Sequence, residues 1–187
     1  MKRLAGFTLM ELIICIMTIA VLTAIALPSF NDFFKRYKNK VKQRELFELL
    51  ILMRNRALNE KRSFTLCPKK RLANECSSDW SDGALLFADE NGNGKLDSED
   101  QIIRYLGQTE KGASLSWNAF NNKGFLIYKP TGTTPSQSGN FSFCPESGEA
   151  EYGWIIILNA IGRPYYAKDK DGNNIVENGS GVELTCQ

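Results

Sequence analysis

Residues 7–27, FTLMELIICIMTIAVLTAIAL, form an apolar run whose one charge is Glu11. As an α-helix rising about 1.5 Å per residue it would be about 32 Å long, enough to cross a bilayer core of about 30 Å. Beyond Pro28 the apolar positions Phe30, Phe33, Phe34, Tyr37, Val41, Phe47, Leu50, Met53, Ala57 and Leu58 recur at helical spacing, and Leu46, Leu49 and Ile51 widen the stripe near its end. One helix over residues 7–60 is predicted, bent near Pro28 because proline removes a helix hydrogen bond. Its first half, 7–27, suits lipid, and its second half presents an apolar face to a head of residues 61–187.

From Ser63 the periodicity shortens and Gly, Pro, Asn and Asp break the chain into short pieces. Strands are expected at 64–66, 84–88, 101–105, 115–117, 126–128, 140–144, 153–159, 164–167 and 181–186. Between them lie turns at 90–94 (ENGNG), 130–139 (PTGTTPSQSG) and 168–174 (KDKDGNN). The expected class is α+β: a long N-terminal helix packed on a mostly antiparallel sheet.

Composition narrows the chemistry. The chain has 187 residues, 23 Lys plus Arg against 21 Asp plus Glu, and no histidine. Histidine-dependent nucleophile activation, imidazole bases and His-containing zinc sites are excluded. A formal charge of +2 creates no global field for nucleic acid. There is no G-x-S-x-G, Walker A or Rossmann fingerprint, and Asp79 and Asp82 suit loop solvation as well as acid–base work.

Five cysteines occur. Cys15 lies inside the apolar run, where a thiol behaves as a small hydrophobe. Cys67, Cys76, Cys144 and Cys186 allow three pairings. Cys67 with Cys76 and Cys144 with Cys186 is the favoured one, since the first brackets the short polar loop PKKRLANE and the second ties down a chain end. Disulfides imply an oxidising compartment for the head. The positive-inside count disagrees: Lys2 and Arg3 precede the apolar run, but Lys35, Arg36, Lys38, Lys40, Lys42 and Arg44 follow it. The cysteines decide for a head outside the cytoplasm, and the basic stretch is read as a solvated face or one meeting lipid headgroups. A secretory signal competes for the same N-terminus, with Ala24-Ile25-Ala26 as its cleavage site. Against it stands Glu11, because an acid within an apolar helix costs up to about 3 kcal/mol unless something offsets it.

Gly6-Phe7-Thr8-Leu9-Met10-Glu11 resembles the processing site of type IV pilins and type II secretion pseudopilins. The resemblance implies that prepilin peptidase removes residues 1–6, that the exposed Phe7 is N-methylated, and that Glu11 pairs with the N-terminal amine of a neighbouring subunit in a filament. A buried carboxylate is tolerable when it meets an opposite charge. Loss of Lys2 and Arg3 would bring the formal charge of +2 to zero.

Leu66-Cys67-Pro68, Cys76, the run Trp80 to Phe87, the Pro130-x-Gly132 step and Gly162-Arg163 are similar to the FimT/FimU/GspH group of minor pilins and pseudopilins. This implies a type IV pilin-like fold and a non-enzymatic subunit for pilus assembly, priming or tip-complex formation. The implied partners are other minor and major pilins, prepilin peptidase and the inner-membrane assembly platform. The implied location is the inner membrane, single-pass with a periplasmic head, and then the pilus or pseudopilus. Two alternatives share this architecture: a type II secretion pseudopilin, and a DNA-binding minor pilin in DNA uptake. For the latter, FimT-like proteins carry Gly-Arg-x-Arg; here Gly162 and Arg163 match and Tyr165 replaces the second arginine. DNA contact at Arg163 is therefore not favoured.

One loop has the spacing of a calcium site. Asp89, Asn91, Asn93, Asp97 and Asp100 supply side-chain oxygens, Lys95 a carbonyl and Gly94 a sharp turn, much as in a twelve-residue calcium loop. Against calcium stand Asp at the twelfth place and a strand-like approach; the same residues suit a β-hairpin whose Asn and Asp side chains satisfy turn backbone. No other cofactor is expected.

Overall fold

The computed structural model describes residues 8–121 and 123–186, apart from the side chains at 25–29 and 31. Helix α1 (Leu9–Glu60) runs without interruption through Pro28. The chain divides into two compact units, Met1–Lys38 and Asn39–Gln187.

In the first unit Leu9, Met10, Leu12, Ile13, Ile14, Ile16, Met17, Ile19, Val21 and Leu22 are all exposed. The hydroxyl of Thr18 donates to the carbonyls of Ile14 and Cys15, and that of Thr23 to those of Ile19 and Ala20, at 2.8–3.0 Å. Both of these hydroxyls are thus satisfied within the helix, as an apolar surrounding demands. Among the described residues no helix is long and apolar enough to cross a membrane. The side chains described for the expected span end at Ala24.

In the second unit eight strands form two four-stranded sheets, and every paired neighbour is antiparallel. The first sheet has the order β3-β2-β1-β5, with β1 (Ser63–Pro68), β2 (Ala84–Asp89), β3 (Gln101–Leu106) and β5 (Leu126–Tyr128). The second has the order β4-β6-β7-β8, with β4 (Ser114–Ala119), β6 (Gly139–Cys144), β7 (Trp154–Leu158) and β8 (Pro164–Tyr166). Helix residues Leu46, Leu49, Leu50, Met53 and Ala57 share one core with both sheets, including Phe64 and Leu66 of β1, Leu86 of β2, Phe141 of β6 and Ile156 of β7. Their three- and four-residue spacing makes one stripe of α1.

The expected stripe is shorter than its sequence. Phe30, Phe33, Phe34, Tyr37 and Val41 remain exposed. The helix is anchored from Asn39, whose amide donates to the Tyr152 carbonyl at 2.9 Å, and Lys42, whose ammonium donates to the Gly107 carbonyl at 2.8 Å.

The central strands β2 and β7 are buried at every position. An antiparallel sheet with one wet face would alternate instead, so their outer faces must be covered. Over the first sheet, Leu85 and Phe87 meet Leu96, Phe125 and the Cys67–Cys76 bridge. Over the second, Ile155 and Ile157 meet Ala167, Ile175, Val176, Leu184 and the Cys144–Cys186 bridge. The Cα–Cα separations are 5.6 Å and 5.5 Å, within the ordinary range for a disulfide. Each bridge therefore clamps a polar loop over an apolar strand.

One expected strand is absent. Segment 181–186 forms no ladder and pairs through a single bridge, Glu177 with Glu183. Leu184 donates its N–H to the Val176 carbonyl and Asn178 to that of Val182. The segment folds back on its own approach as a cover, because its one buried side chain, Leu184, drops onto β7.

Candidate functional site

The processing residues Gly6 and Phe7 lie outside the described residues. Beside them Thr8 and Glu11 make a reciprocal cap on α1. The Glu11 N–H donates to the Thr8 hydroxyl at 3.3 Å, and the Thr8 N–H donates to the Glu11 carboxylate at 3.4 Å. This is a capping box, Thr-x-x-Glu, which satisfies two N–H groups that a helix start leaves without partners. The spacing Thr8-Leu9-Met10-Glu11 before an apolar run was its sequence signal. Glu11 thus has a local task within its own helix, besides any offered by a neighbour.

In the acidic loop the side chains turn toward the loop itself. Asp89 is fully buried; its carboxylate accepts from the Thr65 hydroxyl at 2.7 Å, the Gly94 N–H at 2.8 Å and the Asn93 N–H at 3.1 Å. Asp100 accepts from the N–H groups of Glu90 and Asp97. The amide oxygens of Asn91 and Asn93 accept from backbone N–H groups two residues on, while both amide nitrogens donate to Asp97 at 2.9 and 2.8 Å. Those two bonds, in that order, hold the Asp97 carboxyl below its ordinary range.

Oxygens that would surround a cation face N–H groups here, and amide nitrogens face Asp97. Among the described residues no group of three or more His, Cys, Asp or Glu is gathered as a metal would require. In this arrangement the side-chain oxygens of Asp89, Asn91, Asn93, Asp97 and Asp100 are engaged by donors of the head itself. The same bonds serve another end. They place Leu96 on Phe87 and press Gly94, at φ +80°, against the Phe125 ring, where an added Cβ would lie 2.0 Å from a ring carbon. Only glycine fits both the left-handed backbone and that approach. Between this loop and the Cys67–Cys76 loop is a cavity of about 370 Å³ with Leu96, Phe125 and the disulfide among its walls. Its acid, Glu75, is held by Lys70 at 3.1 Å.

The Gly162-Arg163 turn sits between β7 and β8. The Asn159 side-chain carbonyl accepts from the N–H groups of Ile161 and Arg163. Gly162, at φ +74°, gives its carbonyl to the buried Tyr128 hydroxyl, and a Cβ there would lie 2.8 Å from the Tyr128 ring. Burial of Tyr128 pushes its phenol well above the ordinary tyrosine range. Half of the motif is therefore architecture: Gly162 locks the turn onto the core. Arg163 points out and is exposed. Tyr166 is stacked on Phe47 of α1 with centroids 4.3 Å apart, so that ring is committed to packing.

The predicted turn at 168–174 is built on Asp169 and tied to the buried Glu177. Asp169 accepts from Gly172 and Asn174 N–H groups at 2.7 and 2.8 Å, which lowers its pKa, the Gly172 bond most. The buried Glu177 carboxylate accepts from the Lys170 N–H. The signal was the recurrence of Asp, Asn and Gly in DKDGNN, which marks Asx turns.

Residues 43–162 match the family described as Type II transport protein GspH. No curated protein sequence matches the chain significantly. Among solved structures, the type IV minor pilin FimU of Pseudomonas aeruginosa has a TM-score of 0.55 at 18% identity, covering 73% of this chain and 92% of that one. The minor pseudopilin EpsH from the Type 2 Secretion System of Vibrio cholerae has a TM-score of 0.51 at 12% identity, covering 68% and 94%; a second EpsH structure gives 0.53 at 10% identity, covering 74% and 99%. These likenesses carry the fold: an N-terminal helix on an antiparallel head. With the family match extending over more than half of its length, the chain belongs to the GspH family of minor pilins and pseudopilins.

Proposed function

We propose that this chain is a minor pilin that enters a priming or tip complex of a type IV pilus. The observation that carries the reading is the stem. From Leu9 to Leu22 the large apolar side chains are exposed around the helix, while the head has already closed its own core. A surface of this kind is stable only in lipid or against other apolar helices. The chain first lies in the inner membrane with residues 7–27 spanning it and the head in the periplasm, an oxidising space suited to its two disulfides. Prepilin peptidase cleaves after Gly6, Phe7 is methylated, and the stem leaves lipid to pack among other minor and major pilins on the inner-membrane assembly platform. No catalytic residue is assigned; the work done is assembly.

The family description favours a second reading, a pseudopilin of a type II secretion system. Both share processing and packing and differ in the filament joined. Intact-mass measurement of the membrane-derived chain tests what they share: residues 1–6 are expected to be missing and one methyl group added. A chain cleaved after Ala26 would be an ordinary secreted protein, and neither reading would survive. Pull-down of the tagged chain, with identification of the major subunit recovered, separates the two filaments.

A further inference from the structure

We propose that residues 30–38 of α1 form a docking surface for anionic lipid headgroups, which holds the stem at the membrane–water boundary before assembly. The inference rests on the membrane-stem reading above. Phe30, Phe33, Phe34 and Tyr37 follow each other at three- and four-residue steps and so share one side of the helix. Their rings contact one another, Phe30 with Phe34 at 6.5 Å, Phe33 with Phe34 at 5.8 Å and Phe33 with Tyr37 at 6.2 Å. Even so they remain 57%, 59%, 55% and 59% exposed. This side is a continuous aromatic ladder still more than half open.

Charge identifies what covers it. At roughly 100° per residue, Lys35, Arg36 and Lys38 lie on the flanks and back of the ladder, and Asp32, the one acid of the stretch, lies roughly opposite it. Rings on one side and cations around them are the make-up of a helix seated in an interface, with its apolar side at the acyl boundary and its cations at phosphates. A second copy of the same surface would bring like charges together, whereas an anionic leaflet complements them. The ladder begins at Phe30, directly beyond the apolar run that ends at Leu27, so it continues that run to the depth where aromatic belts sit.

The test uses the full chain in vesicles, in a Cys15→Ser background, with a nitroxide at Phe33→Cys or at Ile16→Cys. Collisions with oxygen, which enters lipid, are compared with those of a water-soluble nickel chelate. In phosphatidylcholine vesicles containing phosphatidylglycerol, the label at position 33 is expected to be several-fold less open to nickel than in phosphatidylcholine alone. Lys35→Glu, Arg36→Glu and Lys38→Glu together should remove that difference. Equal nickel access at position 33 in both vesicles, with the label at 16 still lipid-buried, overturns the headgroup dock and leaves the stem reading standing. Nickel access at position 16 overturns the stem reading as well. Shielding of position 33 that arises only on adding other pilin subunits makes this side a protein interface and likewise overturns the proposal.

Discussion

At Glu11 the observed helix cap and the proposed pairing with a neighbour's amine ask for different properties. Capping the helix needs an acceptor at the third helical position, which glutamine supplies nearly as well as glutamate. Neutralising a neighbour's amine needs a negative charge. Glu11→Gln should therefore keep the helix start, while Glu11→Ala should fray it, with a loss of about 1 kcal/mol. If incorporation into filaments depends on the charge, both variants are excluded from sheared filaments; if it depends on the cap, only the alanine variant is. Immunoblotting of the filament fraction distinguishes them.

Asp89 is a buried carboxylate satisfied by three donors. Asp89→Ala leaves the Thr65 hydroxyl and the Gly94 N–H without partners in the interior and should cost about 3 kcal/mol in denaturant unfolding of the head. Asp97 and Asp169 are solvated, and their pKa values lie below the ordinary aspartate range. Their contribution is present above the unfolded value of about pH 4 and is lost as pH falls through the lower folded value. Amide shifts of Asn91 and Asn93 should therefore change only below about pH 4, and Asp97→Asn should abolish that step.

Among the elements, β2 and β7 read in sequence as apolar runs, ALLFAD and WIIIL, without alternation. Such runs declare burial on two faces but not what lies on the second. The covers are polar loops with a few scattered apolar side chains, Leu96 in one and Ile175, Val176 and Leu184 in the other, too sparse to show as periodicity. This is why 181–186 reads as a strand in the sequence. The disulfides are the clamps. In the chain-entropy picture they contribute about 3 kcal/mol for Cys67–Cys76 and about 4 kcal/mol for Cys144–Cys186, whose sequence separations are 9 and 42. Replacing Cys144 and Cys186 by serine should raise amide exchange first in β7, and replacing Cys67 and Cys76 should raise it first in β2. Calcium added to the head is expected to leave its melting temperature unchanged; a rise of several degrees would mean that the Asn and Asp side chains rearrange around the ion.

At the scale of the whole molecule, the division after Lys38 separates an exposed apolar stem from a unit with its own core. A chain beginning at Asn39 should therefore be a soluble monomer with the far-ultraviolet spectrum and cooperative melting of a folded head, as sedimentation and thermal denaturation would show. The basic stretch that upset the topology count is also divided. Lys42 and Arg44 are engaged by Glu45 and Glu48 within the second unit, and Lys42 also holds Gly107.

The apolar run, the helix through residue 60 and eight of the nine strands were legible in order along the chain, because each is a local pattern of side chains and periodicity reports local geometry. The sorting of the strands into two sheets, the point along α1 where burial begins, the covers over β2 and β7, and the seating of Gly162 on Tyr128 came only with the tertiary structure. These depend on contacts between residues far apart in sequence, and the energy that selects them is burial against a partner that no local window contains.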